Sequence, residues 1–60
     1  MQNLDVVRDA LLKYFTTTEV EQFMVFVQQD KDLLLMIDRN PQKAVETCKE
    51  ILRIALDKSA

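Results

Sequence analysis

Cys48 is the single thiol of this chain, and no histidine accompanies it. Nucleophilic catalysis of the triad kind needs a nucleophile, a base and an acid that orients the base. With the usual base missing, Cys48 would need positive charge beside it and access to solvent to form a reactive thiolate. Lys49 adjoins it in sequence, but helical neighbours i and i+1 point apart. Cys48 instead falls on an apolar helical stripe, where an unpaired cysteine behaves as a small hydrophobe. A buried structural thiol is expected.

The carboxylates offer little more. Asp30-Lys31-Asp32 begins like a calcium loop. Leu34 then stands where a third oxygen ligand is needed, and Leu35 where the turn demands glycine. Helix capping or a solvated joint is the better use of these residues. Glu46 and Glu50 share a helical face, but without a third ligand or a pocket they read as solvated, beside Lys49 and Arg53. One cysteine and no histidine exclude zinc sites built from both. A chain without glycine has no Gly-rich phosphate loop. No metal, no cofactor and no enzymatic activity are expected. An active site shared between subunits, made of carboxylates, lysines or Tyr14, is the one catalytic arrangement left open.

Nucleic acid and membranes are weak candidates as well. Ten acidic and eight basic residues give a formal net charge of −2. That balance creates no field to attract phosphate. The basic residues are scattered singly rather than interleaved with aromatics, so Tyr14 and the three Phe residues fit a core better than a base-stacking surface. A helix-turn-helix would use the last helix as reader, with Gln42 in its first turn; this is the alternative reading of function. Mixed-sign polar faces argue against a helix lying on a membrane. No apolar run approaches the roughly 18 residues of a span. Met1-Gln2-Asn3-Leu4-Asp5 lacks the regions of a signal peptide. With a free thiol, this makes the cytoplasm the expected location.

These residues are carried by helices. The composition is rich in Leu, Ala, Lys, Glu, Gln and Met, which favour helix. Tight hairpins want Gly or Asn at special backbone angles, so an all-β fold is not expected. Sixty residues allow one domain, here 1–60, and such a domain buries only about 60% of its unfolded surface. The fold expected is all-α: a three-helix bundle, with four short helices as the variant, completed by self-association.

The first helix is expected from Leu4 to Phe15, capped by Asn3, with Asp9 and Lys13 as an i,i+4 pair. Leu4, Val7, Leu11 and Tyr14 form its stripe. Thr16-Thr17-Thr18 ends it, and Thr18 with Glu21 fits a capping box for the second helix. That helix carries Val20, Phe23, Met24 and Val27, with Phe26 to one side. Continued to Asp38, it would place Lys31 and Asp30 in the middle of two apolar seams, where an unpaired charge is costly. Either the helix breaks near Gln29-Asp30, with Asp30 or Asp32 as a cap, or both charges lie at the edge of a broad stripe. The break is preferred. Asn40-Pro41 starts the last helix with a strong signal. Ala44, Val45, Cys48, Ile51, Leu52 and Ala55 make its stripe, and fraying is expected from Asp57.

Leu33-Leu34-Leu35-Met36-Ile37 is the run that a small core cannot absorb. At about 100° per residue, five consecutive apolar side chains cover every side of a helix. Closure around Phe23, Val27, Leu34, Val45 and Leu52 would leave Leu33, Leu35 and Met36 sideways or outward. Large exposed apolar patches usually mark interaction sites. The alternative is that the run is sandwiched between the other helices. The expected function is therefore non-catalytic protein binding, as a regulator, adaptor or inhibitor. Phe26, Leu33, Leu35, Met36 and Ile37 form the expected contact, and a second copy of the chain is the simplest partner.

Overall fold

The computed structural model describes residues 2–59, and all regular structure among them is helical. Four helices follow in order: α1 (Asn3–Leu11), α2 (Thr17–Gln29), α3 (Lys31–Arg39) and α4 (Pro41–Ser59). The four-helix variant of the expected all-α bundle is the one observed. At ~1.5 Å per residue, α4 is about 28 Å long and sets the 32 Å long dimension of the molecule. It packs against α1 and α3. The second helix packs against α3 and α1, and touches α4 only marginally.

The helix boundaries follow from side chains that satisfy free backbone donors. At the α2–α3 joint, Asp30 Oδ1 accepts from the Asp32 N–H at 3.1 Å and the Leu33 N–H at 3.2 Å. Asp30 itself is extended, at φ −107° and ψ 104°. The preferred break is therefore present, and Asp30 rather than Asp32 makes the cap. Asn40 Oδ1 accepts from the Lys43 N–H at 3.2 Å, and Pro41 occupies the first helical position of α4. There its fixed φ and missing N–H suit a helix start.

The capping box of α2 lies two residues earlier than expected. Thr16 Oγ1 accepts from the Glu19 N–H at 3.2 Å, while the Thr16 N–H donates to Glu19 Oε1 at 2.9 Å. Thr16 and Thr18 both have a glutamate three residues on. A Thr16 cap puts Phe15 just before the cap and Val20 at the fourth helical position, the pattern of a hydrophobic staple. A Thr18 cap would put Thr17 and Gln22 there. Phe15 is half-buried against a core that includes Val20, so the staple decides between the two boxes.

Three further expectations are corrected. Asn3 does not cap α1; it is the first helical residue, and its Nδ2 donates to the Asp38 carbonyl at 3.0 Å, tying α1 to the last turn of α3. Such terminal carbonyls lack an intrahelical partner. Because α1 ends at Leu11, Lys13 lies beyond it and the Asp9–Lys13 pair does not form. Arg8 instead approaches Asp5 at 3.7 Å and Asp9 at 3.5 Å. At the other end α4 does not fray at Asp57. It continues to Ser59, whose hydroxyl donates to the Ala55 carbonyl at 2.9 Å. Ala60 lies outside the described residues.

The core comprises Val7, Leu11, Val20, Phe23, Met24, Val27, Leu33, Ile37, Ala44, Cys48 and Leu52. No buried polar side chain accompanies them among the described residues. Leu34 and Val45, expected at the centre, are half-buried; Leu33 and Ile37 lie in the core. Counting along an unbroken helix puts Leu34 in the seam of Val20, Met24 and Val27. The extended Asp30 resets that phase, so α3 turns Leu33 and Ile37 inward.

Candidate functional site

Leu12, Tyr14, Val25 and Ile54 are exposed singly, and two concave surfaces carry further apolar side chains that the core leaves uncovered. The first is a groove where α2 and α4 diverge. Phe23, Phe26, Ile51, Leu52, Ala55 and Leu56 line it, with Glu19, Gln22 and Ser59 at the rim. It exists because α4 is held by α1 and α3 while α2 leans on α3. Phe26 and Phe23 stand 6.0 Å apart between ring centroids, tilted by 36°. Phe23 is buried, whereas Phe26 keeps half its surface exposed.

The second surface is the outside of α3 and the cleft it forms with the start of α1. Leu4, Leu34, Leu35 and Ile37 supply its apolar part, with Lys31 and Asp38 beside them. Leu35 is 52% exposed. Asn3 closes the back of the cleft through its bond to the Asp38 carbonyl.

The five residues expected to form one contact are thus distributed over four places. Leu33 and Ile37 belong to the chain's own core. Met36 is half-buried beside it. Phe26 and Leu35 are exposed, on different surfaces. The groove between α2 and α4 was not legible in the sequence, because it depends on how two helices diverge. Its only local signal was the displacement of Phe26 from the stripe of Val20, Phe23, Met24 and Val27.

Cys48 is fully buried, and desolvation pushes its thiol above the ordinary value. Burial penalises the thiolate, which is the opposite of activation. A thiol reagent is expected to label Cys48 in the native protein only at the rate of unfolding, and promptly in denaturant; fast native labelling would mean that α4 faces another way. The raised pKa also gives a pH dependence. The unfolded thiol ionises first, so its contribution to stability is complete below the unfolded pKa and declines as pH rises through it toward the folded value.

Lys49 is not on a solvated face. Its Nζ lies 4.0 Å from the Tyr14 ring centroid and 4.0 Å from Glu46 Oε2, and its side chain is only 20% exposed. Tyr14 sits in the turn after α1, a position that helical stripe counting cannot connect to α4. The contact is a cation–π clamp between two elements. Among the described residues no group of three or more Cys, Asp or Glu side chains is placed to hold a metal ion. No described helix is long and apolar enough to cross a membrane.

The chain is a small all-α protein of four helices. Comparison with family models, with curated proteins and with solved structures finds no match.

Proposed function

We propose that this chain is a non-catalytic protein-interaction module, a cytoplasmic regulator, adaptor or inhibitor that self-associates through apolar helix faces. The exposure of Phe26 and Leu35, 50% and 52%, carries this reading. A chain of 60 residues has little apolar surface to spare from its core, yet six large apolar side chains stand outside it: Leu12, Tyr14, Val25, Phe26, Leu35 and Ile54. Of these, Phe26 and Leu35 lie beside further apolar surface, the groove next to Phe26 and the Leu4–Leu34 cleft next to Leu35. Contiguous apolar surface of this kind is the usual mark of a protein contact.

Sedimentation velocity from about 1 to 100 μM, the range of weak protein association, tests the reading. The wild-type chain is expected to shift from monomer to dimer with concentration. Phe26→Ser and Leu35→Ser are exposed substitutions that leave folding intact, and at least one is expected to move that shift to higher concentration. A wild-type chain that stays monomeric throughout removes the basis for self-association. A salt-sensitive complex with duplex DNA would favour nucleic-acid binding instead, since phosphate attraction is strongest at low salt.

A further inference from the structure

The outer face of α3 has a charge pattern that is complementary to itself. At about 100° per residue, Leu35 points roughly 160° away from both Leu33 and Ile37, the two residues that α3 buries. It therefore marks the middle of the exposed face. Lys31 and Asp38 lie on one flank of Leu35, Asp32 and Arg39 on the other, all within about 60° of it. At ~1.5 Å per residue, Lys31 and Asp32 sit about 6 and 4.5 Å before Leu35, and Asp38 and Arg39 about 4.5 and 6 Å after it. Each flank thus carries one base and one acid at opposite ends, and the order is reversed between flanks.

All four charged side chains are exposed, and none has an ion pair among the described residues. Arg8 and Lys49, in contrast, are paired within the chain. Leu34 and Met36 are half-buried on either side of Leu35, so the face has an apolar centre and a charged rim. That is the general anatomy of a protein interface.

We propose that two copies of the chain pair through antiparallel α3 helices, with the two-fold axis at Leu35. This deepens the proposed function and rests on the self-association it contains. The two-fold brings each flank against the same flank of the other copy, with direction reversed. Asp38 then comes to the height of the partner subunit's Lys31, and Asp32 to that of the partner subunit's Arg39. The symmetry repeats both pairs, giving four, and like charges fall on opposite flanks. A parallel two-fold runs along the helices and exchanges the flanks, setting Lys31 against the partner subunit's Asp32 and Asp38 against the partner subunit's Arg39. The charges therefore fit a second copy of this face in either direction, and the helix dipoles, whose opposite end charges meet only when the helices run antiparallel, favour the antiparallel one, with Leu35 against Leu35 at the centre. A nine-residue helix presents less than the ~800 Å² per partner of a standard interface. The dimer is of the weak, salt-sensitive class, with its charges giving specificity more than affinity.

Two double variants test the arrangement. Lys31→Glu with Arg39→Glu makes the face wholly acidic; Asp32→Lys with Asp38→Lys makes it wholly basic. The side-chain bonds into these positions, from Asn3 to the Asp38 carbonyl and from the Asp32 N–H to Asp30, use only their backbone, so the fold is expected to persist, with circular dichroism as the check. In sedimentation equilibrium at low salt, each double variant alone is expected to dimerise at least about tenfold more weakly than wild type, because like charges then oppose. An equimolar mixture of the two is expected to restore dimers. The register has its own measurement. Leu35→Cys is expected to form a disulfide-linked dimer on mild oxidation and Lys31→Cys is not, with buried Cys48 leaving the wild type as a blank. Should a double variant unfold, this crosslink carries the test alone. Double variants that dimerise like wild type, or a Lys31→Cys crosslink as efficient as that of Leu35→Cys, overturn the α3 pairing while leaving self-association standing. A wild type that never dimerises overturns both.

Discussion

Leu52→Asp is expected to abolish the folded state at 25 °C. Leu52 is 5% exposed and lies at the floor of the groove between α2 and α4. The substitution removes about 1.5–3 kcal/mol of apolar burial and leaves a carboxylate with no partner. Its neighbours one turn away on α4 are Cys48, Lys49, Ala55 and Leu56. The one cation among them is held between Tyr14 and Glu46. An uncompensated buried charge costs about 3–5 kcal/mol. A domain of this size has a total stability of ~3–9 kcal/mol at ~0.05–0.15 kcal/mol per residue. The loss is therefore comparable to everything the fold has. Far-ultraviolet circular dichroism with a thermal melt is the measurement. Lys43→Ala is the control: its side chain is exposed, and only its backbone N–H meets Asn40. That variant is expected to stay within about 0.5 kcal/mol of wild type. A folded Leu52→Asp protein of unchanged melting temperature would show that α4 presents another face to the core.

The same residues show which parts of the fold are legible in a sequence. Helix type and the two later helix starts were readable because the signals are local: Asp30 and Asn40 reach backbone donors two or three residues away. Where two local signals competed, at Thr16 and Thr18, the winner was set by Phe15, a residue whose burial is tertiary. Asn3 is the clearer case. As a cap it would satisfy its own helix; in the fold its amide reaches the carbonyl of Asp38, thirty-five residues away. The Tyr14–Lys49 contact and the groove beside Phe26 are equally long-range. Periodicity places a residue on a face of its helix. It does not say which neighbour that face meets, or whether any neighbour meets it.

Ile37→Ala and Leu35→Ala, two residues apart on α3, are expected to affect different properties, the first monomer stability and the second self-association. Ile37 is 2% exposed, and its truncation leaves a cavity costing about 2–5 kcal/mol. In a domain this small each kcal/mol lowers the melting temperature by about 4–8 °C, so a fall of roughly 8–40 °C is expected. Leu35 is 52% exposed, and alanine is the better helix former. Its truncation is expected to change monomer stability by no more than about 0.5 kcal/mol while weakening self-association. Melts must be run at a concentration too low for dimers, because association itself stabilises the folded state; sedimentation at high concentration then reads the second effect. Equal destabilisation by the two variants would mean that α3 is rotated from the orientation set by Asp30, with Leu35 inside. The contrast follows from the geometry of the apolar run. Five consecutive residues on a helix cannot share one destination: Leu33 and Ile37 go to the core, Leu34 and Met36 to its margins, and Leu35 is left with solvent unless another chain covers it.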